Sequence, residues 1–141
     1  MAESGSCVFC RIAAEDDRAE VVYEDSDYVC FRDRSPAATH HYLLIPRIHI
    51  RNPGELTGEH IAMVEKMGEI AREILAQQGA SPEDSRLGFH WPPFLRVQHL
   101  HLHILNPPSS MGWFARHLLF RENSFAFMTH AAMLDRLRSM L

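Results

Sequence analysis

Short β-prone apolar runs lie on both sides of a stretch whose apolar residues recur at three-to-four spacing, so strands should flank one long helix. Val21 to Glu24 and Tyr28 to Arg32 are β-prone runs around the turn-forming Asp25-Ser26-Asp27 and predict a hairpin. After the loop Ser35-Pro36-Ala37-Ala38, His41-Tyr42-Leu43-Leu44-Ile45 predicts a third strand ended by Pro46. From Gly58 to Gln78, Ile61, Val64, Gly68, Ala71 and Leu75 share one stripe at helical spacing, with Thr57 as N-cap and Gly79 as stop. Arg86 to His90 predicts a short strand, and Trp91-Pro92-Pro93 breaks it. Thr129 to Met140 predicts a terminal helix turning Met133, Leu134, Leu137 and Leu141 inward. The expected fold class is α+β: an antiparallel sheet of about five strands, one long helix on one face and a short C-terminal helix.

The fifth strand carries the chemistry. In Gln98-His99-Leu100-His101-Leu102-His103-Ile104-Leu105 three histidines alternate with apolar residues. An extended chain would line the imidazoles along one face, roughly 6 to 7 Å apart, and bury Leu100, Leu102 and Ile104 on the other. A half-exposed strand edge or a surface metal site would also place histidines there, but strict alternation with apolar residues makes an accidental row harder to accept. Imidazole works near neutral pH as nucleophile, acid or base, which suits attack at phosphorus and protonation of a leaving group.

Composition narrows the partners. The 141 residues, 46% of them hydrophobic, suit one domain over residues 1–141. Fourteen Lys plus Arg against eighteen Asp plus Glu give a net charge of -4, which lacks the basic excess a nucleic-acid binder exploits. No apolar run approaches the ~20 residues that span a bilayer, and the first six residues lack a leader pattern, so a soluble cytoplasmic protein, also nuclear, with no membrane partner is expected. Cysteines at 7, 10 and 30 are odd in number and include a C-x-x-C, which points to reduced or metal-bound thiols rather than a disulfide framework. Neither an internal repeat nor a low-complexity tract is visible.

His99-Leu100-His101-Leu102-His103-Ile104-Leu105 resembles the signature of the histidine triad superfamily of nucleotide hydrolases and transferases. Cys7-Val8-Phe9-Cys10-Arg11-Ile12, Phe31-Arg32-Asp33 and the run from Thr39 to Ile50 resemble that family's N-terminal half. Leu87 to Phe94 and Phe125 to Leu141 are similar to its Hint branch.

The resemblance implies that His101 attacks the α-phosphorus of an adenosine or other purine nucleoside 5′-phosphoramidate, and that water then releases AMP from a nucleotidyl-histidine. It makes His103 a donor to phosphate oxygen, His41 a fourth histidine tuning or relaying protons, and a backbone carbonyl the group that fixes the His101 tautomer. A histidine at the third position, where the transferase branch commonly has glutamine, favours hydrolysis. Asp33 matches the acid that accepts from the ribose hydroxyls, though on turn statistics it is also a hairpin-end residue, and Phe31 would wall the base pocket. Arg96 and Gln98 stand where relatives carry small hydroxyl residues and are candidates for phosphate binding, while Arg34 stands where many have an aliphatic residue under the base.

The spacing of Cys7 and Cys10 lets two thiolates grip one ion, and His49 and His99 would complete a Cys2His2 set, as in relatives that bind structural zinc; two half-buried thiols are the alternative. No cofactor is expected in catalysis itself. The family also implies a homodimer, with the long helix and sheet edge as contact surfaces. Competing readings are a nucleotide-binding scaffold with weak turnover, DNA deadenylation and dinucleoside polyphosphate hydrolysis.

Overall fold

The computed structural model describes residues 7–15 and 18–141; the first six residues, read above for a leader, lie outside them. Helix α1 (Val8–Ala13) leads into strands β1 (Val21–Glu24), β2 (Tyr28–Arg32) and β3 (His40–Pro46). The long helix α2 (Ile61–Gln77) follows, then β4 (Arg86–His90), β5 (Leu102–Asn106), β6 (Phe127–Thr129) and helix α3 (His130–Arg138). The sheet is antiparallel, in the order β1-β2-β3-β5-β4-β6.

Side-chain alternation sorts the sheet into two faces. Tyr28, Cys30, Tyr42, Leu44, Leu102 and Ile104 pack with α2 and α3 in the main core. Val29, Phe31, Leu43 and Ile45 point the other way and pack on Phe9 and Ile12 of α1. Both faces of β2 and β3 are therefore covered, which explains their continuous burial.

The helical stripe lies where expected: Val64, Gly68, Ala71 and Leu75 are buried in α2, and Met67, Ile70 and Ile74 widen it. The helix itself is shorter than Gly58 to Gln78. Thr57 caps a single 3₁₀ turn, Gly58–His60, which leads into α2, and Gly79 ends the segment at a φ of 78°.

Three expectations are corrected. The sheet has six strands; β6 is three residues long, too short for a visible alternation, and lies where the terminal helix seemed to begin. Thr129 ends β6 and caps α3. Leu141 follows α3 and is 87% exposed, whereas Met133 and Leu137 are fully buried. The histidine strand begins only at Leu102, because pairing with β3 stops at Leu44 opposite Leu102. Beyond it the partner strand ends in Pro46, which has no N–H to offer. Ahead of Leu102 the chain bonds elsewhere, the Leu100 N–H donating to the Ile50 carbonyl at 2.6 Å. Among the described residues, no helix is long and apolar enough to cross a membrane.

Candidate active site

His41 and His103 meet because β3 and β5 pair with His41 opposite Leu105 and Leu43 opposite His103, making the two histidines diagonal neighbours on one face. The His41 Nε2 lies 3.0 Å from the His103 Nδ1. Asp33 follows β2, its N–H donating to the His41 carbonyl, and its Oδ2 is 3.4 Å from the His41 Nε2. The other Asp33 oxygen accepts from the Ser35 N–H at 2.8 Å. His101 stands beside His103, ring centroids 5.0 Å apart.

The hydrogen bonds assign the protons. The Ala37 N–H donates to the His41 Nδ1 at 2.9 Å, so neutral His41 carries its hydrogen on Nε2 and gives it to the His103 Nδ1. His103 must then carry its own hydrogen on Nε2, which is buried and has no hydrogen-bond partner among the described residues. His101 donates from Nδ1 to the His99 carbonyl at 2.7 Å, which leaves the Nε2 lone pair free to attack. A lone pair and an unsatisfied donor thus sit on adjacent rings.

Burial keeps these rings neutral. Desolvation pushes His101 down to about 4, against the pull of its bond to the His99 carbonyl. His103 is held well below the ordinary histidine value by burial and then by its histidine neighbours. Burial also lowers His41, with the Asp33 carboxylate opposing.

Two further residues build the site. His90, at the end of β4, stands 4.8 Å from the His103 ring and donates from Nε2 to the Leu119 carbonyl at 2.7 Å. Phe120 touches the rings of His41, His90 and His103 at 5.5, 4.9 and 5.1 Å. Arg86 donates to the Phe120 carbonyl at 2.8 Å, so β4 ties this segment over the sheet from two points. Sequence reasoning missed both residues as parts of the site. The available signal for His90 was a histidine ending the strand predicted just before the triad; Phe120 lies in an irregular segment with no pattern to expose it.

The remaining expected residues divide. Phe31 is buried against Phe9, ring centroids 5.3 Å apart, on the triad face. Arg96 and Gln98 are exposed on the loop ahead of the triad, with no hydrogen bond among the described residues. Arg34 donates to the Arg18 carbonyl at 3.2 Å and lines a surface cavity of about 530 Å³ together with Ile12, Ala13 and Val29.

His99 leaves the row to join a second cluster. The Cys7 and Cys10 Sγ atoms each lie 3.4 Å from the His99 Nδ1, and the Cys10 Sγ lies 3.2 Å from the His49 Nδ1. One donor atom from each of the four residues falls within 4.8 Å of all the others. Tetrahedral zinc with ordinary bond lengths separates sulfur from nitrogen by about 3.5 Å, so the donor set fits that ion. His99 donates from Nε2 to the Pro46 carbonyl at 2.9 Å, which leaves its Nδ1 lone pair facing the sulfurs. Asp33, His41 and His103 also approach within 4.8 Å, but there the histidine nitrogens already bond each other.

Comparison with known proteins gives a consistent picture. Residues 6–118 match the family model described as scavenger mRNA decapping enzyme C-term binding. Adenosine 5'-monophosphoramidase HINT3 of Xenopus tropicalis is 42% identical over 136 residues, covering 95% of this chain and 88% of that protein. The Mus musculus protein of the same name is 40% identical over 136 residues, covering 94% and 82%. Among solved structures, a HIT family hydrolase from Legionella pneumophila superposes with a TM-score of 0.68 at 32% identity, over 71% of this chain and 91% of that one.

Proposed function

This chain belongs to the histidine triad family, and from that premise we propose that it hydrolyses the P–N bond of adenosine 5′-phosphoramidates, and of AMP joined to other amines, to release AMP. The observation that carries the reading is the pairing of a free His101 Nε2 lone pair, its other nitrogen held by the His99 carbonyl, with the buried, unpartnered Nε2–H of His103. The first is a nucleophile and the second a donor for a phosphate oxygen.

In the first step the His101 Nε2 forms a bond to phosphorus as the P–N bond to the amine breaks. The electron pair leaves with the amine nitrogen, which takes up one proton from solvent. His101 becomes positively charged, and the His99 carbonyl bonded to its Nδ1–H stabilises that charge. The His103 Nε2–H meets the phosphate oxygen on which charge builds, and His41 keeps that hydrogen in place by filling the His103 Nδ1. Water then attacks phosphorus and gives up a proton to solvent, the P–N bond to His101 breaks with its electron pair returning to Nε2, and AMP leaves. Asp33 is read as the acceptor for the ribose hydroxyls and Phe31 as a wall of the base pocket, as the family resemblance implies; Arg96 and Gln98 would meet the phosphate from the exposed loop.

Acid quench during turnover should trap a nucleotidylated peptide containing His101, and His101→Ala should abolish both the adduct and AMP release. Label on another side chain, or turnover by the variant, would defeat the reading.

Cys7, Cys10, His49 and His99 are read as a structural zinc site, supported by the donor chemistry and spacing. Bound there with four protein ligands, zinc supplies a cross-link rather than an open coordination position. Protein purified without chelator should carry stoichiometric zinc that Cys7→Ala removes. A homodimer is proposed on family membership, and sedimentation decides it.

A further inference from the structure

His101 lies ahead of the sheet ladder, which begins at Leu102, so strand pairing does not hold the nucleophile's backbone. Its position depends on tertiary contacts, and these lead back to the cysteine knuckle. The carbonyl that accepts the His101 Nδ1–H belongs to His99, whose side chain is fully buried between the two cysteine sulfurs and the Pro46 carbonyl. Phe9, between Cys7 and Cys10, sets its ring edge-on to the His101 ring at 5.2 Å and 89°, and also meets His99 at 6.0 Å. Leu100 is tied to Ile50, the residue after His49. Every element of the cluster therefore reaches the nucleophile within one or two residues.

We infer that the Cys7, Cys10, His49 and His99 centre is a positioning device for the nucleophile: with its metal bound, it holds the His99 carbonyl and the Phe9 ring so that His101 keeps its hydrogen on Nδ1 and presents Nε2 to phosphorus. The inference rests on the zinc reading above. The metal takes no part in bond making. It anchors His99 at the side chain, so that the backbone carbonyl of the same residue cannot rotate away from His101. A structural zinc serving stability alone would change the unfolding midpoint and leave the His101 tautomer untouched.

The test uses the full chain labelled with ¹⁵N at histidine, with zinc bound, stripped by chelator, and reloaded. Long-range proton–nitrogen correlation reads the His101 tautomer without substrate, so it stands even if phosphoramidate turnover fails. The zinc-loaded chain should show only the Nδ1–H form of His101. The stripped chain should show mixed tautomers, a kcat lower by about tenfold or more and a KM changed by less than about threefold, all restored by zinc. A stripped, folded chain that keeps the single tautomer and its kcat overturns the inference, as does a chain that binds no zinc and still shows one tautomer. If stripping unfolds the chain, Phe9→Leu decides, because it spares all four ligands. Mixed tautomers and a lowered kcat at wild-type zinc content uphold the inference, and a wild-type spectrum and kcat overturn it.

Discussion

The Nε2 of His41 donates to the Nδ1 of His103 across 3.0 Å, and this one bond determines which nitrogen of His103 carries its hydrogen. Because His41 receives the Ala37 N–H on its other nitrogen, it has a single tautomer to offer. The order of protons is set by a backbone amide two side chains away from the chemistry.

His41→Ala should therefore leave His103 free to place its hydrogen on either nitrogen. We expect kcat to fall by about a hundredfold with little change in KM, because the loss falls on a donor that acts mainly in the transition state. Steady-state kinetics with adenosine 5′-phosphoramidate checks this, and a variant that raises KM alone would assign His41 to binding instead.

Arg96 is exposed and unpaired among the described residues, so under the proposed function its charge would act on an anionic substrate through solvent. Arg96→Ser should lower kcat/KM by about threefold, chiefly through KM, and the difference should shrink when salt shortens the screening length to about 3 Å near 1 M. Equal kinetics at low salt would remove Arg96 from the substrate's path.

Acid should destabilise the fold through its buried neutral histidines. His41, His90, His103 and His130 all have values lowered first by burial. Above about pH 6.5 both folded and unfolded forms are neutral at these positions, and the groups make no pH-dependent contribution. Below that value the unfolded chain takes up protons that the folded chain refuses, so stability falls with pH until the lowered folded values are reached, at up to about 1.4 kcal/mol per pH unit for each group. The thermal midpoint should drop steeply between pH 7 and pH 5, and a flat profile over that window would contradict the buried, neutral assignment.

Gly68 in α2 faces the His130 ring, and a Cβ built there would lie 2.4 Å from its Cε1. His130 donates from Nε2 to the Val64 carbonyl at 2.7 Å, joining α3 to α2. Gly68→Ala gains up to about 1 kcal/mol of helix propensity. It also overpacks the contact and disturbs a buried hydrogen bond, costs of about 1–3 kcal/mol each. Net destabilisation of about 1–5 kcal/mol is expected in denaturant unfolding; a more stable variant would show that the ring moves aside freely.

Most of what the sequence reveals is local. β-prone apolar runs bounded by turn residues set apart the hairpin and the third strand, and apolar residues three or four apart marked the long helix, because both patterns follow from which sides of one element meet the core. His101 and His103 stood out because they share a face two residues apart, and Cys7 with Cys10 because three residues of chain suffice to turn two sulfurs toward one point. What lay beyond that reading depends on residues distant in the chain. His90 and Phe120 join the site only after β4 packs beside β5 and the segment before β6 folds back over the sheet. The early end of the histidine strand is likewise a tertiary decision, since Pro46 closes the partner strand and the His99 and Leu100 donors find the carbonyls of Pro46 and Ile50 instead. The amino acids alone thus determined which groups could do chemistry, because reactivity and period belong to the residues themselves. Only the folded chain decided which nitrogen of each ring carries a proton, because that depends on partners brought to within 3 Å from 2 to 62 positions away.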